Sequence, residues 1–75
     1  MESLHPGVFA SIGVGLVTIG CGMGIGRLAA SSMEGIARQP EAAPKIQGLT
    51  ILTAAFIEGV ALFGAVICLL TLILK

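Results

Sequence analysis

Two long stretches without charge dominate this 75-residue chain and limit what it can fold into. Residues 6–26 carry no charged side chain, and residues 46–74 carry one, Glu58. A helix needs roughly 20 apolar residues to span a bilayer, and both stretches reach that length. Within lipid only helices and closed barrels satisfy their own backbone hydrogen bonds, and neither stretch alternates polar with apolar residues as a barrel strand does. The sequence therefore predicts an all-α membrane protein with two spanning helices.

The composition excludes several other classes of protein. Hydrophobic residues make up 56% of the chain and charged residues 11%, whereas soluble domains average about 25% charged residues. The formal net charge is zero, so no nucleic-acid partner is indicated. Cys21 and Cys68 lie within apolar stretches, so we expect inert thiols and no metal site. The N-terminus lacks the positive charge of a signal peptide, and we expect the first stretch to be retained.

A polar segment with two prolines separates the apolar stretches. Pro40 is expected to end the first helix, and Pro44 lies near the start of the second, where proline is tolerated. We predict one domain over the whole chain, with helix 1 at about 7–39, a polar loop at about 39–44 and helix 2 at about 45–74. The similar lengths predict an antiparallel hairpin with both termini on one side of the membrane.

The basic residues predict the orientation of this hairpin. Arg27, Arg38 and Lys45 lie toward the loop, and Lys75 and the amino terminus lie on the other side. Loops rich in Lys and Arg stay in the cytoplasm. We therefore expect a cytoplasmic loop, with both termini across the membrane.

Helix 1 is rich in glycine, which lets membrane helices approach closely. At about 100° per residue the small residues form two nearly opposed stripes. One stripe is Gly13, Gly20, Gly24 and Ser31; the other is Ser11, Gly15, Gly22 and Gly26. Two faces favour a head-to-tail ring of identical chains, while close packing within one hairpin would use a single stripe. Gly22 to Gly26 also resembles a dinucleotide fingerprint, but the strand that this motif requires is missing.

Glu58 is the candidate functional residue. It lies about 18 Å along the helix from Ile46 and about 24 Å from Leu74, so its side chain cannot reach either membrane surface. An ionised carboxylate at the bilayer centre costs at least about 2.5–3.5 kcal/mol, so the protonated form is expected in lipid. Acids in the membrane commonly mark ion or proton pathways. The alternative is a structural hydrogen bond to a neighbouring helix.

The expected surroundings of Glu58 favour a proton over sodium. With the turn centred near Ala42, Gly26 lies level with Glu58. The predicted lining has no side-chain oxygen and consists of Ile25, Gly26, Phe56, Gly59 and Phe63. Hard cations such as Na⁺ need several oxygen ligands, whereas a proton needs the carboxylate and one acceptor. We therefore expect H⁺ as the transported ion and no other cofactor.

Three motifs occur in an order typical of one family. Residues 20–26 form the glycine repeat Gly-Cys-Gly-Met-Gly-Ile-Gly, residues 38–40 read Arg-Gln-Pro, and Glu58 stands in the middle of the second helix. Over nearly its whole length the chain resembles the proteolipid c subunits of F-type ATP synthases. The glycine repeat alone is a weak signal, but the three motifs together are specific.

The resemblance implies a fold, a function and a set of partners. It implies a cylindrical homo-oligomeric ring in a bacterial inner membrane, in contact with lipid, with helix 1 inside and helix 2 outside. The chain would be a non-catalytic rotor subunit in which Glu58 carries protons and meets an arginine of the a subunit. The loop residues Arg38, Gln39 and Pro40 would face the gamma and epsilon subunits of the central stalk.

Three positions depart from polar residues found in relatives. Sodium-using relatives carry glutamine at the position of Ile25 and a hydroxyl residue at that of Gly59, and many proton-using relatives carry tyrosine at that of Phe63. These departures agree with proton use and leave the Phe56 carbonyl as the expected partner of protonated Glu58. Two other functions remain open: a holin-like or small regulatory oligomer, and a small transporter, although Trp and Tyr are absent.

Overall fold

The protein folds into two long helices that form an antiparallel hairpin. The structure, a computed structural model, describes residues 5–74. Helix α1 spans Pro6–Arg38, a 3-10 turn spans Pro40–Ala42, and helix α2 spans Ala43–Ile73. Both helices begin slightly before the starts expected from the sequence and end one residue earlier. The N-terminal residues used to argue against a signal peptide, and Lys75, lie outside the described range. The predicted two-helix hairpin is confirmed.

Local chemistry explains where α1 begins and ends. The His5 side chain caps its start, because Nδ1 accepts the Gly7 N–H at 2.9 Å, and Pro6 occupies the first position, which needs no donor. At the other end the Gln39 N–H donates to the Gly35 carbonyl at 3.0 Å. Gln39 precedes Pro40 and is not helical, with φ of −136° and ψ of 77°, because a residue before proline is kept from helical geometry.

The connection between the helices is short and tightly wound. In the 3-10 turn the Ala42 N–H donates to the Gln39 carbonyl at 2.9 Å. Pro44 is the second residue of α2, where its missing N–H costs no helical hydrogen bond. No proline follows it in α2, which continues to a last bond from Leu74 N–H to the Leu70 carbonyl at 2.9 Å.

Four of the five glycine contacts between the helices agree on which residues lie opposite each other. The fifth, Gly7 against Leu72 at 3.6 Å, is offset by two residues at the end away from the loop. A Cβ built on Gly24 would lie 3.8 Å from the Ile57 side chain, and one on Gly35 would lie 3.3 Å from Ile46. In the same way Gly13 faces Cys68 and Gly64 faces Val17. These pairs are centred between residues 40 and 41, so Met23 lies level with Glu58. The expectation that Gly26 does so is wrong, because it centred the turn near Ala42.

The interior of a single hairpin is very small. Of residues 5–74, only Ala10 and Ser32 are buried, with 7% and 8% of their surface exposed. Large apolar side chains are exposed along both helices, among them Leu16, Val60 and Phe63. Both helices are long and apolar enough to cross a membrane. Exposing a continuous apolar surface of this size to water is unfavourable in free energy, so lipid or other protein covers it.

Candidate functional site

Glu58 is the central residue of α2, with 15 residues of the helix on either side. At 1.5 Å per residue its Cα lies about 22 Å from each end. The side chain is exposed on the surface of the single hairpin. An ionised carboxylate at the centre of a bilayer carries a large cost in free energy unless water or a positive partner is near it.

The Glu58 side chain lies in a groove of about 590 Å³ along one side of the contact between the helices. Helix α1 contributes Val17, Thr18, Cys21 and Gly22, and α2 contributes Glu58, Gly59, Ala61, Leu62 and Ala65. The groove therefore combines one carboxyl with one hydroxyl, one thiol and an otherwise apolar wall. Among residues 5–74, no cluster of His, Cys, Asp and Glu side chains is arranged to hold a metal ion.

Thr18 is a groove residue that the sequence reasoning missed. Its hydroxyl donates to the Val14 carbonyl of the same helix at 2.8 Å, so the oxygen can still accept a hydrogen bond while its hydrogen is in use. The expected site contained no side-chain oxygen, and this groove contains one besides the carboxylate. The signal that could have found Thr18 is the register of the hairpin, because opposing Met23 to Glu58 brings this part of α1 toward the acid.

The hairpin brings together only part of the predicted lining. Gly59 shares the groove with Glu58, whereas Phe56 lines a second groove of about 550 Å³ on the other side of the helix contact. Ile25, Gly26 and Phe63 line neither groove. Phe63 is 74% exposed, so in one copy of the chain its side chain points away from the contact between the helices.

The six glycines of α1 that were predicted to pack a ring divide into two groups. Gly13 and Gly24 contact α2, and their missing side chains let the two helices approach. A Cβ built on any of the other four would meet no atom of the hairpin within 4 Å. These four are Gly15, Gly20, Gly22 and Gly26. Their small size is therefore unused within one copy of the chain.

The loop end of the hairpin is polar and open. Arg38, Gln39 and Pro40 are all exposed, as are Glu41 and Lys45 beside them. The backbone here is held by the helix end and the 3-10 turn, so the side chains are free to contact another molecule.

A hairpin of two apolar helices with a carboxylic acid at the centre of one of them defines a small integral membrane protein with an ionisable group in the bilayer. Residues 8–71 match the family described as the ATP synthase C subunit. The chain belongs to this family, as its three motifs suggested, and its location is the membrane.

Individual relatives cover most of the chain. The ATP synthase c subunit of Bacteroides thetaiotaomicron is 55% identical over 65 residues, which are 87% of this chain and 76% of that protein. The c subunit of a Nostoc species is 48% identical over 63 residues, 84% of this chain and 78% of that protein. The chloroplastic c subunit of Cyanidium caldarium is 47% identical over 62 residues, 83% of this chain and 76% of that protein.

Proposed function

We propose that this chain is the proton-carrying rotor subunit of an F-type ATP synthase. The observation that carries the proposal is a single acid at the centre of α2 in a chain of the ATP synthase C subunit family. Protonated Glu58 is neutral and can face lipid, whereas ionised Glu58 cannot without a large cost in free energy. Binding a proton therefore lets the hairpin move past lipid as the ring rotates. Release of the proton requires a polar partner for the ionised carboxylate.

The proposed partners are identical copies of the chain, the a subunit and the central stalk. Identical copies form a ring with α1 inside, and the glycines of α1 that meet nothing within the hairpin support such neighbours. Glu58 passes an arginine of the a subunit, where it releases its proton to an outlet half-channel and takes another from an inlet half-channel. The exposed Arg38, Gln39 and Pro40 contact the gamma and epsilon subunits and transmit rotation.

The chain performs no chemistry on ATP in this proposal. A membrane potential supplies about 2.3 kcal/mol per proton per 100 mV, and the ring converts this into torque for the catalytic head. The location would be a bacterial inner membrane with the loop in the cytoplasm, as the basic residues near the loop suggest. A holin-like or regulatory oligomer is not favoured, because it does not account for the family match.

The groove composition favours H⁺ over Na⁺ as the transported ion. One carboxylate and the Thr18 hydroxyl are the side-chain oxygens of the groove. Hard cations need several oxygen ligands to replace their water, so this set suits a proton better.

Replacing the acid tests the proposal. In membranes containing the assembled ATP synthase, Glu58→Gln should leave the ring intact and abolish ATP-driven proton pumping, because the amide cannot take up and release a proton. Glu34→Gln is the matched control, since Glu34 is an exposed acid of α1 outside the loop, and it should retain pumping. Retained pumping in Glu58→Gln would refute the proposed function.

A further inference from the structure

One polar contact joins the two helices. The Ser32 and Thr50 hydroxyls are hydrogen-bonded to each other, and Ser32 is one of the two buried residues. Thr50 also donates to the Ile46 carbonyl at 2.7 Å. A hydroxyl has one hydrogen, so Ser32 must donate to Thr50, which then donates to Ile46. Among residues 5–74 no other side-chain hydrogen bond connects α1 to α2.

The remaining contacts between the helices hold their relative height by packing alone. They are mainly apolar and involve glycines along both helices, such as the pairs Gly13–Cys68, Gly24–Ile57 and Gly64–Val17. Apolar contact is non-directional, so a slip of one helix past the other by a turn, about 5.4 Å, is opposed by the fit at the glycines and by no directional bond among these pairs. The loop also limits such a slip, through its length and through the backbone hydrogen bonds of its 3-10 turn, from Ala42 to Gln39 and from Ala43 to Pro40.

A hydrogen bond between two short side chains tolerates no such slip. Ser and Thr hydroxyls sit one bond beyond Cβ, and O–H···O bonds require about 2.5–3.0 Å, so a displacement of one turn breaks the contact. The bond also lies between the loop and the acid, because Thr50 is eight residues, or about 12 Å, before Glu58 on α2.

We propose that Ser32 and Thr50 are positioning residues that fix the height of Glu58 relative to α1. The inference rests on the proposed function, because the height of the acid matters only if Glu58 must meet its partners at a set depth in the bilayer. With the bond intact, Glu58 stays level with Met23 and in its groove with Thr18 and Cys21. Without it, a fraction of the hairpins hold the acid in a different register.

A disulfide can report the register without reference to proton transport. A Cβ on Gly13 would lie 2.8 Å from Cys68 Sγ, so Gly13→Cys places the two residues within reach of a disulfide when the helices keep this register. Because the added side chain also crowds Cys68, the reference for every rate is the Gly13→Cys chain itself. Cys21→Ala removes the other described cysteine. Rigid helices slide as units, so a slip at Ser32 also separates residues 13 and 68. The rate of oxidative cross-linking in assembled rings is the first measurement.

The second measurement is the reaction of Glu58 with a hydrophobic carbodiimide, which modifies a protonated carboxyl in a set environment. In the reporter background, Ser32→Ala and Thr50→Val should slow both reactions by up to about threefold, because one hydrogen bond between membrane helices changes the equilibrium between registers by about that factor. Thr53→Val is the matched control, because its hydroxyl donates within α2, to the Leu49 carbonyl at 2.8 Å, and both rates should stay at the parental value.

The exchange Ser32→Thr with Thr50→Ser keeps both hydroxyls and the total volume, and it should restore both rates. If the single variants do not assemble, the double variant tests the proposal. Cross-linking and carbodiimide rates equal to those of the reporter background would support it, and slower rates would overturn it. Parental rates in Ser32→Ala and Thr50→Val, or equal slowing in Thr53→Val, would also overturn it. These outcomes are independent of the pumping assay, so the positioning role can fail while the proposed function stands.

Discussion

Gly13 lies directly against Cys68, and a Cβ at position 13 would come within 2.8 Å of the Cys68 sulfur. This is the tightest of the glycine contacts between α1 and α2, and it lies toward the end of the hairpin opposite the loop. The hairpin is therefore held closely along its length, by glycine here and by the Ser32–Thr50 hydrogen bond nearer the loop.

The first prediction concerns this contact. Gly13→Ala should destabilise the hairpin by about 1–3 kcal/mol, because the added methyl overpacks the contact with Cys68. Adding Cys68→Ala should recover most of this loss by removing the sulfur. Thermal unfolding of the chain in detergent, followed by circular dichroism, measures both effects. Gly48→Ala is the control, since a Cβ there meets nothing within 4 Å. Equal losses with and without Cys68→Ala would contradict the register.

A second prediction separates the ring from the hairpin. Gly20→Val should leave the hairpin folded, because a Cβ at Gly20 meets no atom within 4 Å, but it should prevent close packing of neighbouring copies. The mass of the detergent-solubilised assembly measures the outcome: a ring for the parent chain and smaller species for the variant. Gly48→Val on α2 should keep the full ring. An intact ring in Gly20→Val would argue against packing through this glycine.

The third prediction concerns ion choice. Carbodiimide modification of Glu58 should be insensitive to sodium, because the groove supplies too few oxygens to bind Na⁺. Thr18→Val removes the one groove hydroxyl at nearly constant shape and should remain equally insensitive. The assay is the modification rate in assembled rings at several sodium concentrations and constant pH. Protection by sodium in the parent chain that disappears in Thr18→Val would instead identify a sodium site.

A fourth prediction concerns the loop. Gln39→Ala should leave the fold intact, because Gln39 closes α1 through its backbone N–H and not through its side chain. It should lower ATP synthesis more than proton flow through the ring, because the loop side chains contact the central stalk in our proposal. Paired assays of ATP synthesis and proton conductance in membrane vesicles test this. Gln47→Ala, an exposed change early in α2, should affect neither. Proportional losses of both activities would count against a coupling role.

The sequence was sufficient for the helices and for the acid. Two uncharged stretches, Pro40 and Pro44 determine where the helices lie, since proline ends or begins a helix for local reasons. Glu58 stood out because a charge is rare within such a stretch. Both features are local in the chain, and this is why they could be read without a structure.

The register of the hairpin could not be read in the same way. Apolar stretches pair with little dependence on register, so the residue opposite Glu58 followed from an assumed turn centre near Ala42. The turn is centred before Glu41 because the 3-10 helix begins at Pro40 and leads directly into α2. The assumed centre placed Gly26 level with Glu58, three residues from Met23, which lies there in the structure. The position of Thr18 near the acid and the Ser32–Thr50 hydrogen bond both depend on the pairing of the two helices, so neither was predicted.

The most direct test of the central claim is to observe the proton on Glu58. Infrared difference spectra of the assembled ring in lipid, recorded between acidic and alkaline buffer, should contain a protonated-carboxyl band that shifts on deuteration. The account predicts this band in the parent chain and in Glu41→Gln, and its loss in Glu58→Gln. A band that survives Glu58→Gln, or a parent ring without one, would contradict reversible protonation of Glu58.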